Sequence, residues 1–191
     1  MNVAADDPLV RLAERVAAVA GQMGIPTALI GATALAAHNY VRATADIDLA
    51  SAVDPFRELR RLREALEAEG LHAELNLPDA EDGLGGVLRV RAQVDDDELV
   101  ELVNFHNPLN PSRNPGAEAV RTATALGPST SLRCSTLAHL IALKLYAGSR
   151  RDQADVVEVL RRNPEVDLAS VREVCARHGS SAALEELIAE I

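Results

Sequence analysis

The stretch ALIGATALAAHNYVRATADIDLA, residues 28–50, decides the fold because it joins an apolar run, a glycine break and two aspartates one residue apart. Its apolar start predicts a short buried strand that ends at Gly31, and the alanine-rich segment after it predicts a short helix. A second strand then carries Asp46 and Asp48, whose side chains point to one face while their aliphatic neighbours point to the other. The stretch therefore predicts a sheet with helices on its aliphatic face and an open cleft at its acidic face.

Asp46 and Asp48 form a candidate metal site. Two neighbouring carboxylates repel each other, and partial burial of their charge is costly unless a cation neutralises it. A hard cation such as Mg²⁺, or Mn²⁺ in its place, binds carboxylates together with the phosphate oxygens of a substrate. The alternative is a solvated edge strand that carries two ordinary aspartates.

Gly31 and the helix after it form a candidate phosphate site. Because Gly31 has no Cβ atom, the backbone can approach a ligand closely there. The amides of Ala32 and Thr33 open the helix without partners inside it, so they can donate to phosphate. The alternative is a simple strand-to-helix turn. Together with the two aspartates on the next strand, the turn indicates a place for a nucleoside triphosphate and its metal.

Apolar spacing predicts the other elements of the first half of the chain. Apolar side chains recur at helical spacing in two segments. Three other segments show either alternation of apolar with polar residues or a continuous apolar run, as strands do. The predicted helices cover residues 8–23 and 55–69, and the predicted strands cover residues 71–77, 87–94 and 98–105.

A loop rich in proline and asparagine, residues 106–116, marks a change of organisation. Beyond it we expect helices only, with Ser135 as the cap of the first long one. The chain is thus an α+β protein in which residues 1–107 form a core with a mixed sheet. Residues 108–191 form a C-terminal loop and helical part that packs on the core as one compact unit.

Composition narrows the classes of function. The 191-residue chain has 29 acidic residues against 19 Lys plus Arg, and a net charge of −10 disfavours nonspecific binding along nucleic-acid phosphates. Aromatic residues make up only 2%, so a platform for stacking bases is poorly supplied. The two cysteines are expected to stay reduced. Because neither a signal-peptide pattern nor an apolar stretch of about 18 residues is present, we expect a cytoplasmic protein without membrane contact.

Lys144 lies within the apolar segment LIALKLY, residues 140–146, and is a candidate catalytic residue. A buried ammonium group needs a partner, which could be a triphosphate or the carboxylates. The alternative is a lysine that extends its ammonium group to solvent. Arg150 is a candidate for holding phosphate or an acceptor, and Asp155 for pairing with Lys144 or an arginine.

These motifs resemble those of the nucleotidyltransferases of the DNA polymerase β superfamily. The resemblance is closest to the small bacterial AbiEii-type toxins, in which Gly-Gly-x-Ala-Leu precedes Arg-x-Ser/Thr-x-Asp-Ile-Asp-Leu. The segment LIALKLYAGSRRDQADVVEVL, residues 140–160, also resembles their second motif, so the likeness covers residues 25–162. The positions that match the first motif are Gly31, Ala34, Leu35, Arg42, Thr44, Asp46, Ile47, Asp48 and Leu49.

The resemblance implies a nucleotidyltransferase-like mixed β-sheet with helices packed on one face, followed by a small C-terminal helical part. It also implies a transferase that binds a nucleoside triphosphate and two Mg²⁺ or Mn²⁺ ions, with Asp46 and Asp48 as shared ligands. The third carboxylate should come from a neighbouring strand, where Glu101 is the best position. Glu98 is a rival, because the apolar run around it does not fix which face looks into the cleft. Lys144 completes the expected catalytic set.

Two departures from the family pattern bear on substrate choice and activity. Ala32 stands where the family prefers Gly or Ser, and the third carboxylate belongs to Glu rather than Asp. The residues expected to contact the nucleotide are Gly31, Ala32, Thr33, Arg42, Thr44 and Arg150.

The resulting hypothesis is a magnesium-dependent nucleotidyltransferase that moves a nucleotidyl group onto a hydroxyl of RNA or protein. It would be the toxin of a toxin–antitoxin system, with a cognate antitoxin as its partner. Two alternatives stay open. One is a catalytically inactive binding module of the same fold, and the other is an enzyme that modifies a small hydroxylated molecule such as an antibiotic.

Overall fold

A seven-stranded mixed sheet runs through the structure, a computed structural model that describes residues 7–191. The strands are β1 Ala28–Leu29, β2 Asp46–Ser51, β3 His72–Asn76, β4 Val87–Arg91, β5 Leu99–Asn104, β6 Thr124–Ala125 and β7 Arg133–Cys134. Their order across the sheet is β3-β4-β5-β2-β1-β7-β6. β2 lies parallel to β5 and antiparallel to β1, so the two-aspartate strand sits in the middle of the sheet.

Eight α-helices surround this sheet in the described part of the chain. They are α1 Pro8–Gln22, α2 Gly31–Ala37, α3 Arg60–Ala68, α4 Gly116–Thr122, α5 Leu137–Ala147, α6 Arg150–Arg161, α7 Leu168–Arg177 and α8 Ser181–Ile188. A π-helical turn, Pro55–Leu59, leads into α3. α1 starts where Pro8 fits the first helical position and the Asp7 carboxylate accepts from the amide of Leu9 at 2.9 Å. Among the described residues, no helix is long and apolar enough to cross a membrane.

The two faces of the sheet carry different side chains. On one face the side chains of β2, β4 and β5 alternate into a large apolar core with α1, α3 and α5, represented by Leu49, Leu88 and Leu102, which are fully buried. On the other face, α4 packs against Ala28 and Ala50 in a smaller apolar cluster. Asp46 and Asp48 alternate with the core-facing residues of β2, so they share this second face with Ala50.

The α+β fold class with a mixed sheet is confirmed, but the expectation of helices only beyond residue 107 is wrong. β6 and β7 come from that region and extend the sheet next to β1, with Leu29 opposite Cys134. Each has two residues, which is too short for alternation to be visible in a sequence. Backbone pairing, rather than side-chain pattern, makes them strands.

The cap of α5 also differs from the expectation. Thr136, not Ser135, is the N-cap, and its hydroxyl accepts from the amide of His139. Ser135 is buried, and its amide donates to the carbonyl of Leu29 at 3.1 Å, so it ends the β7 strand instead. α4 and α7 are helices that the apolar spacing did not identify.

Glu118 ties α4 to α7. Its carboxylate accepts from Arg177 Nη2 at 2.9 Å and lies 3.0 Å from His178 Nε2, while His139 Nε2 is 3.8 Å away. Burial alone would raise the pKa of this carboxyl, but the hydrogen bonds of His178 and Arg177 outweigh that effect and lower the pKa to about 2. The ionised form of Glu118 therefore stabilises the fold.

The Glu118→Gln protein should lose part of the acid sensitivity of folding. A carboxyl whose pKa falls from 4.5 to about 2 on folding contributes stability above pH 4.5, and this contribution disappears as the pH falls toward 2. Denaturation at several pH values should therefore give a lower stability than wild type at neutral pH and a smaller decline in acid. Glu165→Gln, at an exposed position, is the control and should follow the wild-type curve. A variant curve parallel to wild type would contradict this role.

Candidate active site

Three carboxylates meet on the face of the sheet that carries Asp46 and Asp48. Asp48 lies directly opposite Glu101 in the parallel pairing of β2 with β5. One oxygen of each of Asp46, Asp48 and Glu101 lies within 4.8 Å of one oxygen of each of the others, and all three residues are half-buried. Glu98 precedes β5 and is outside this cluster. The geometry thus groups Glu101, rather than Glu98, with the two aspartates.

The charge of this cluster is poorly compensated at Asp48. Burial, together with the smaller effects of the neighbouring Asp46 and Glu101, raises the pKa of its carboxyl to about 6, whereas Lys144 and Arg42 act in the opposite direction. A nearby positive charge would stabilise the ionised form of this carboxyl. The cluster therefore has the electrostatic character of an oxygen-ligand cation site.

Both the backbone conformation at position 31 and the atoms packed around it require a glycine there. Its φ of +62° lies in the left-handed region, and a Cβ atom built there would lie 1.9 Å from Asp48 Oδ2. The amide of the preceding residue, Ile30, donates to the carbonyl of Asp48 at 3.0 Å. The strand-to-helix turn and the carboxylate strand are therefore in direct contact, and only glycine leaves room for both.

Gly31→Ala should disrupt the site more than a comparable glycine substitution elsewhere. An alanine in the left-handed region costs about 1–2 kcal/mol. At position 31 the methyl group must also displace Asp48, so both stability and affinity for Mn²⁺ should fall. Gly70→Ala is the matched control, because Gly70 has a φ of +79° and nothing within 4 Å of a built Cβ atom. Chemical denaturation and Mn²⁺ titration would measure the two effects, and equal behaviour of the variants would refute the steric argument.

A cavity of about 480 Å³ opens beside Asp48 and Gly31. Its other wall comes from α5 and the start of α6, through Leu140, Lys144 and Asp152. A volume of this size suits one ligand of nucleotide dimensions. The cavity therefore connects the carboxylate cluster with Lys144, the lysine predicted to be catalytic.

Lys144 is held inside the protein by two carboxylates. Its ammonium nitrogen lies 2.7 Å from Asp152 Oδ1 and 2.9 Å from Asp155 Oδ2, and its side chain is 10% exposed. Asp155 is more deeply buried and also lies 3.2 Å from Arg42 Nε. Lys144, Arg42, Asp152 and Asp155 thus form a four-charge network, which we call the Lys144 network, between α5, α6 and the loop before β2.

The remaining candidate residues have different surroundings. Thr44 donates a hydrogen bond from its hydroxyl to Asp46 Oδ1, so it contacts a carboxylate of the cluster. Thr33 is half-buried and Ala32 is buried at the start of α2, whose N-cap residue Ile30 makes no side-chain capping bond. Arg150 is exposed at the start of α6 and does not line the cavity.

A known protein family matches most of the length of the chain. The family described as "Nucleotidyl transferase AbiEii toxin, Type IV TA system" matches residues 16–190. The chain belongs to the AbiEii family. The resemblance seen in the two sequence motifs is thereby confirmed, and this AbiEii-family protein is a nucleotidyltransferase.

Two solved structures are similar in fold to the AbiEii-family chain. The antibiotic-resistance factor ANT(2'')-Ia is 20% identical with a TM-score of 0.54, and the match covers 95% of this chain and 97% of that chain. An antigenic nucleotidyltransferase-like protein from Paracoccidioides brasiliensis is 17% identical with a TM-score of 0.56, covering 90% and 87%. Identities this low establish the likeness of fold alone. No curated protein matches the sequence.

Several residues that surround the site of this AbiEii-family protein were not predicted from its sequence. Arg89, on β4, forms an ion pair with Glu101. Tyr146 and the loop residues Asp82 and Gly83 line the cavity. Arginine alternates with apolar residues in VLRVR, residues 87–91, and this period places Arg89 on the face of the sheet that Glu101 shares. Only the register between the two strands, which a single sequence does not specify, makes them neighbours.

Proposed function

We propose that this protein transfers a nucleotidyl group from a nucleoside triphosphate to a hydroxyl group of RNA or protein, as the toxin of a toxin–antitoxin pair. The observation that carries the proposal is the trio Asp46, Asp48 and Glu101 at the edge of a nucleotide-sized cavity that also contains Lys144. The toxin role and the cognate antitoxin rest on the description of the family.

The residues present fit a divalent cation. All three carboxylates offer hard oxygen ligands, and burial, together with the neighbouring Asp46 and Glu101, raises the pKa of Asp48, so a cation there would stabilise its ionised form. Asp46, Asp48 and Glu101 would hold Mg²⁺ or Mn²⁺. When bound, such a cation supplies positive charge that offsets the charge of the phosphates and of the reacting oxygens.

The protein's own residues would bind and orient the triphosphate. Lys144 lines the cavity, and its ammonium group would contact phosphate oxygens while Asp152 and Asp155 keep it in place. The turn at Gly31 allows the backbone to approach the ligand, and Ala32 and Thr33 would donate their amides to phosphate. Arg42 and Thr44 would act by supporting Asp155 and Asp46 rather than by touching the nucleotide. In the reaction the acceptor oxygen bonds to the α-phosphorus and pyrophosphate leaves.

Only one end of an RNA acceptor, or one side chain of a protein acceptor, would reach the active site. The net charge of −10 disfavours an extended grip on nucleic-acid phosphates, and the triphosphate would fill the cavity, which suits one nucleotide, so only a small part of the acceptor could reach it. These two features support an RNA terminus, or a single protein side chain, as the source of the hydroxyl.

Transfer of label from a nucleoside triphosphate tests the proposal. Purified protein is incubated with Mg²⁺ or Mn²⁺, each of the four α-labelled ribonucleoside triphosphates in turn, and total RNA, total protein or a panel of hydroxylated antibiotics. We expect label in RNA or protein with a preferred nucleotide, and none with the Asp46→Asn, Asp48→Asn double variant. Label confined to the antibiotics would favour a small-molecule enzyme instead, and no label in any arm would contradict transferase activity.

A further inference from the structure

Four charged residues form a row across the sheet. In the strand register Glu74 lies opposite Arg89, Arg89 opposite Glu101, and Glu101 opposite Asp48, so the row crosses β3, β4, β5 and β2. Arg89 is the one cation in this row, and it stands between two acidic residues. Residues of opposite charge that lie directly opposite each other on neighbouring strands attract each other.

Arg89 makes a directed contact with the third carboxylate. Its Nε atom donates to Glu101 Oε1 at 2.6 Å, a short charge-assisted hydrogen bond. The exposed fractions of the Arg89 and Glu101 side chains are 36% and 22%, so solvent reaches both side chains although each is largely covered by protein. A glutamate has one more rotatable bond than an aspartate, and a fixed donor on one oxygen limits that extra freedom.

We propose that Arg89 is a positioning residue that holds Glu101 against the two aspartates and thereby sets the affinity of the site for a divalent cation. A carboxylate has two oxygens, so Arg89 can occupy one while the other remains for a cation. This inference rests on the proposed function, because it takes Asp46, Asp48 and Glu101 as the ligands.

Positioning and simple charge predict opposite effects. If Arg89 acted only through its positive charge, its removal would leave the cluster more negative and the cation would bind more tightly. If Arg89 acts by orienting Glu101, its removal frees the side chain and the cation binds more weakly. Solvent screening weakens the charge effect for a partly exposed group, so the orienting effect should dominate.

Calorimetric titration of the nucleotide-free protein with Mn²⁺ distinguishes the orienting effect of Arg89 from its charge effect. Arg89→Ala should weaken binding by about 10- to 100-fold, the range found for residues that orient metal ligands. Arg89→Met retains the apolar part of the side chain and should behave in the same way, and it replaces Arg89→Ala if that protein does not melt cooperatively. Arg89→Lys keeps the charge and a donor, so it should bind Mn²⁺ more tightly than Arg89→Met.

Arg91→Ala is the matched control. Arg91 is two residues away on the same face of β4, but it lies opposite His72 rather than beside Glu101, and its loss should leave the Mn²⁺ affinity unchanged. Unchanged or tighter binding in both Arg89→Ala and Arg89→Met would overturn the inference. The Asp48→Asn variant distinguishes failure of the Arg89 inference from failure of the proposed function. If Asp48→Asn still binds Mn²⁺ as wild type does, the metal site itself is wrong, whereas loss of binding only in Asp48→Asn leaves the site standing without a role for Arg89.

Discussion

Asp48→Asn should slow nucleotidyl transfer by about 10³-fold while the protein stays folded. Asp48 lies directly opposite Glu101 in the pairing of β2 with β5, and its carboxylate faces the space left by Gly31, so the proposed function takes it as a ligand of the catalytic cation. If Asp48 is such a ligand, its loss should remove several kcal/mol of transition-state stabilisation, and about 4 kcal/mol corresponds to about 10³-fold in rate. Single-turnover transfer with the preferred labelled nucleotide would measure the loss.

The same substitution should stabilise the protein at pH 7 when divalent cations are absent. The pKa of Asp48 rises on folding from 3.8 to about 6, so its ionisation favours the unfolded chain by up to about 3 kcal/mol. An uncharged asparagine removes this penalty. The advantage should shrink as the pH falls through 6 and vanish below 3.8, where the aspartate is protonated in both states. Urea denaturation in the presence of a chelator, repeated across this pH range, would show the change.

Asp97→Asn provides the control for both effects. Asp97 is an exposed aspartate in the turn before β5 and lies outside the carboxylate cluster, so its loss should leave transfer and stability unchanged. Wild-type transfer by Asp48→Asn would exclude Asp48 from catalysis. A marked loss of stability without metal would show that its charge is better compensated than the structure indicates.

Asp155→Ala should destabilise the protein far more than the loss of an exposed ion pair does. Asp155 is 2% exposed and lies between Lys144 at 2.9 Å and Arg42 at 3.2 Å. Removal of one partner from a buried ion pair costs about 3–5 kcal/mol, because the remaining charges stay buried without compensation. In this case Lys144 would keep Asp152 as a partner, whereas Arg42 would lose its ion pair with Asp155. Urea denaturation with and without Mn²⁺ would measure the loss.

Glu185→Ala is a control with comparable geometry and a different environment. Glu185 accepts from Arg172 at 2.7 and 3.0 Å, but both side chains are about half exposed. Exposed pairs of this kind contribute about 0–1 kcal/mol. Similar losses in Asp155→Ala and Glu185→Ala would show that burial does not amplify the Lys144 network, and the stabilising role assigned to Asp155 would be withdrawn.

The elements with strong local signals were the ones that the sequence predicted well. Asp7 and Pro8 indicate the start of α1, and the run around Val100 and Leu102 indicates a central strand, because capping chemistry and apolar period act over a few residues. The pairing of the Gly31 turn with the Asp46–Asp48 strand also belongs to this class, since the two lie within one short stretch of sequence.

Features that depend on register or on distant partners were not predictable from one sequence. The choice of Glu101 over Glu98 required the alignment of β2 with β5. The partner of Arg89 required the alignment of β4 with β5 in the same way. The two-residue strands β6 and β7 have no pattern of their own, and their existence depends on the free edge that β1 offers.

The contacts of the loop between α2 and β2 have a consequence for synthesis of the chain. Arg42 pairs with Asp155, and the Asn163 side chain both accepts from Asn39 at 3.0 Å and donates to the carbonyl of His38 at 2.8 Å. Each of these partners is translated long after the loop itself, since domains grow from the N-terminus on the ribosome. The segment leading to the two aspartates therefore lacks its partners until most of the polypeptide has emerged. A nascent chain of this protein carries its carboxylate pair early, but acquires the framework that aligns it late.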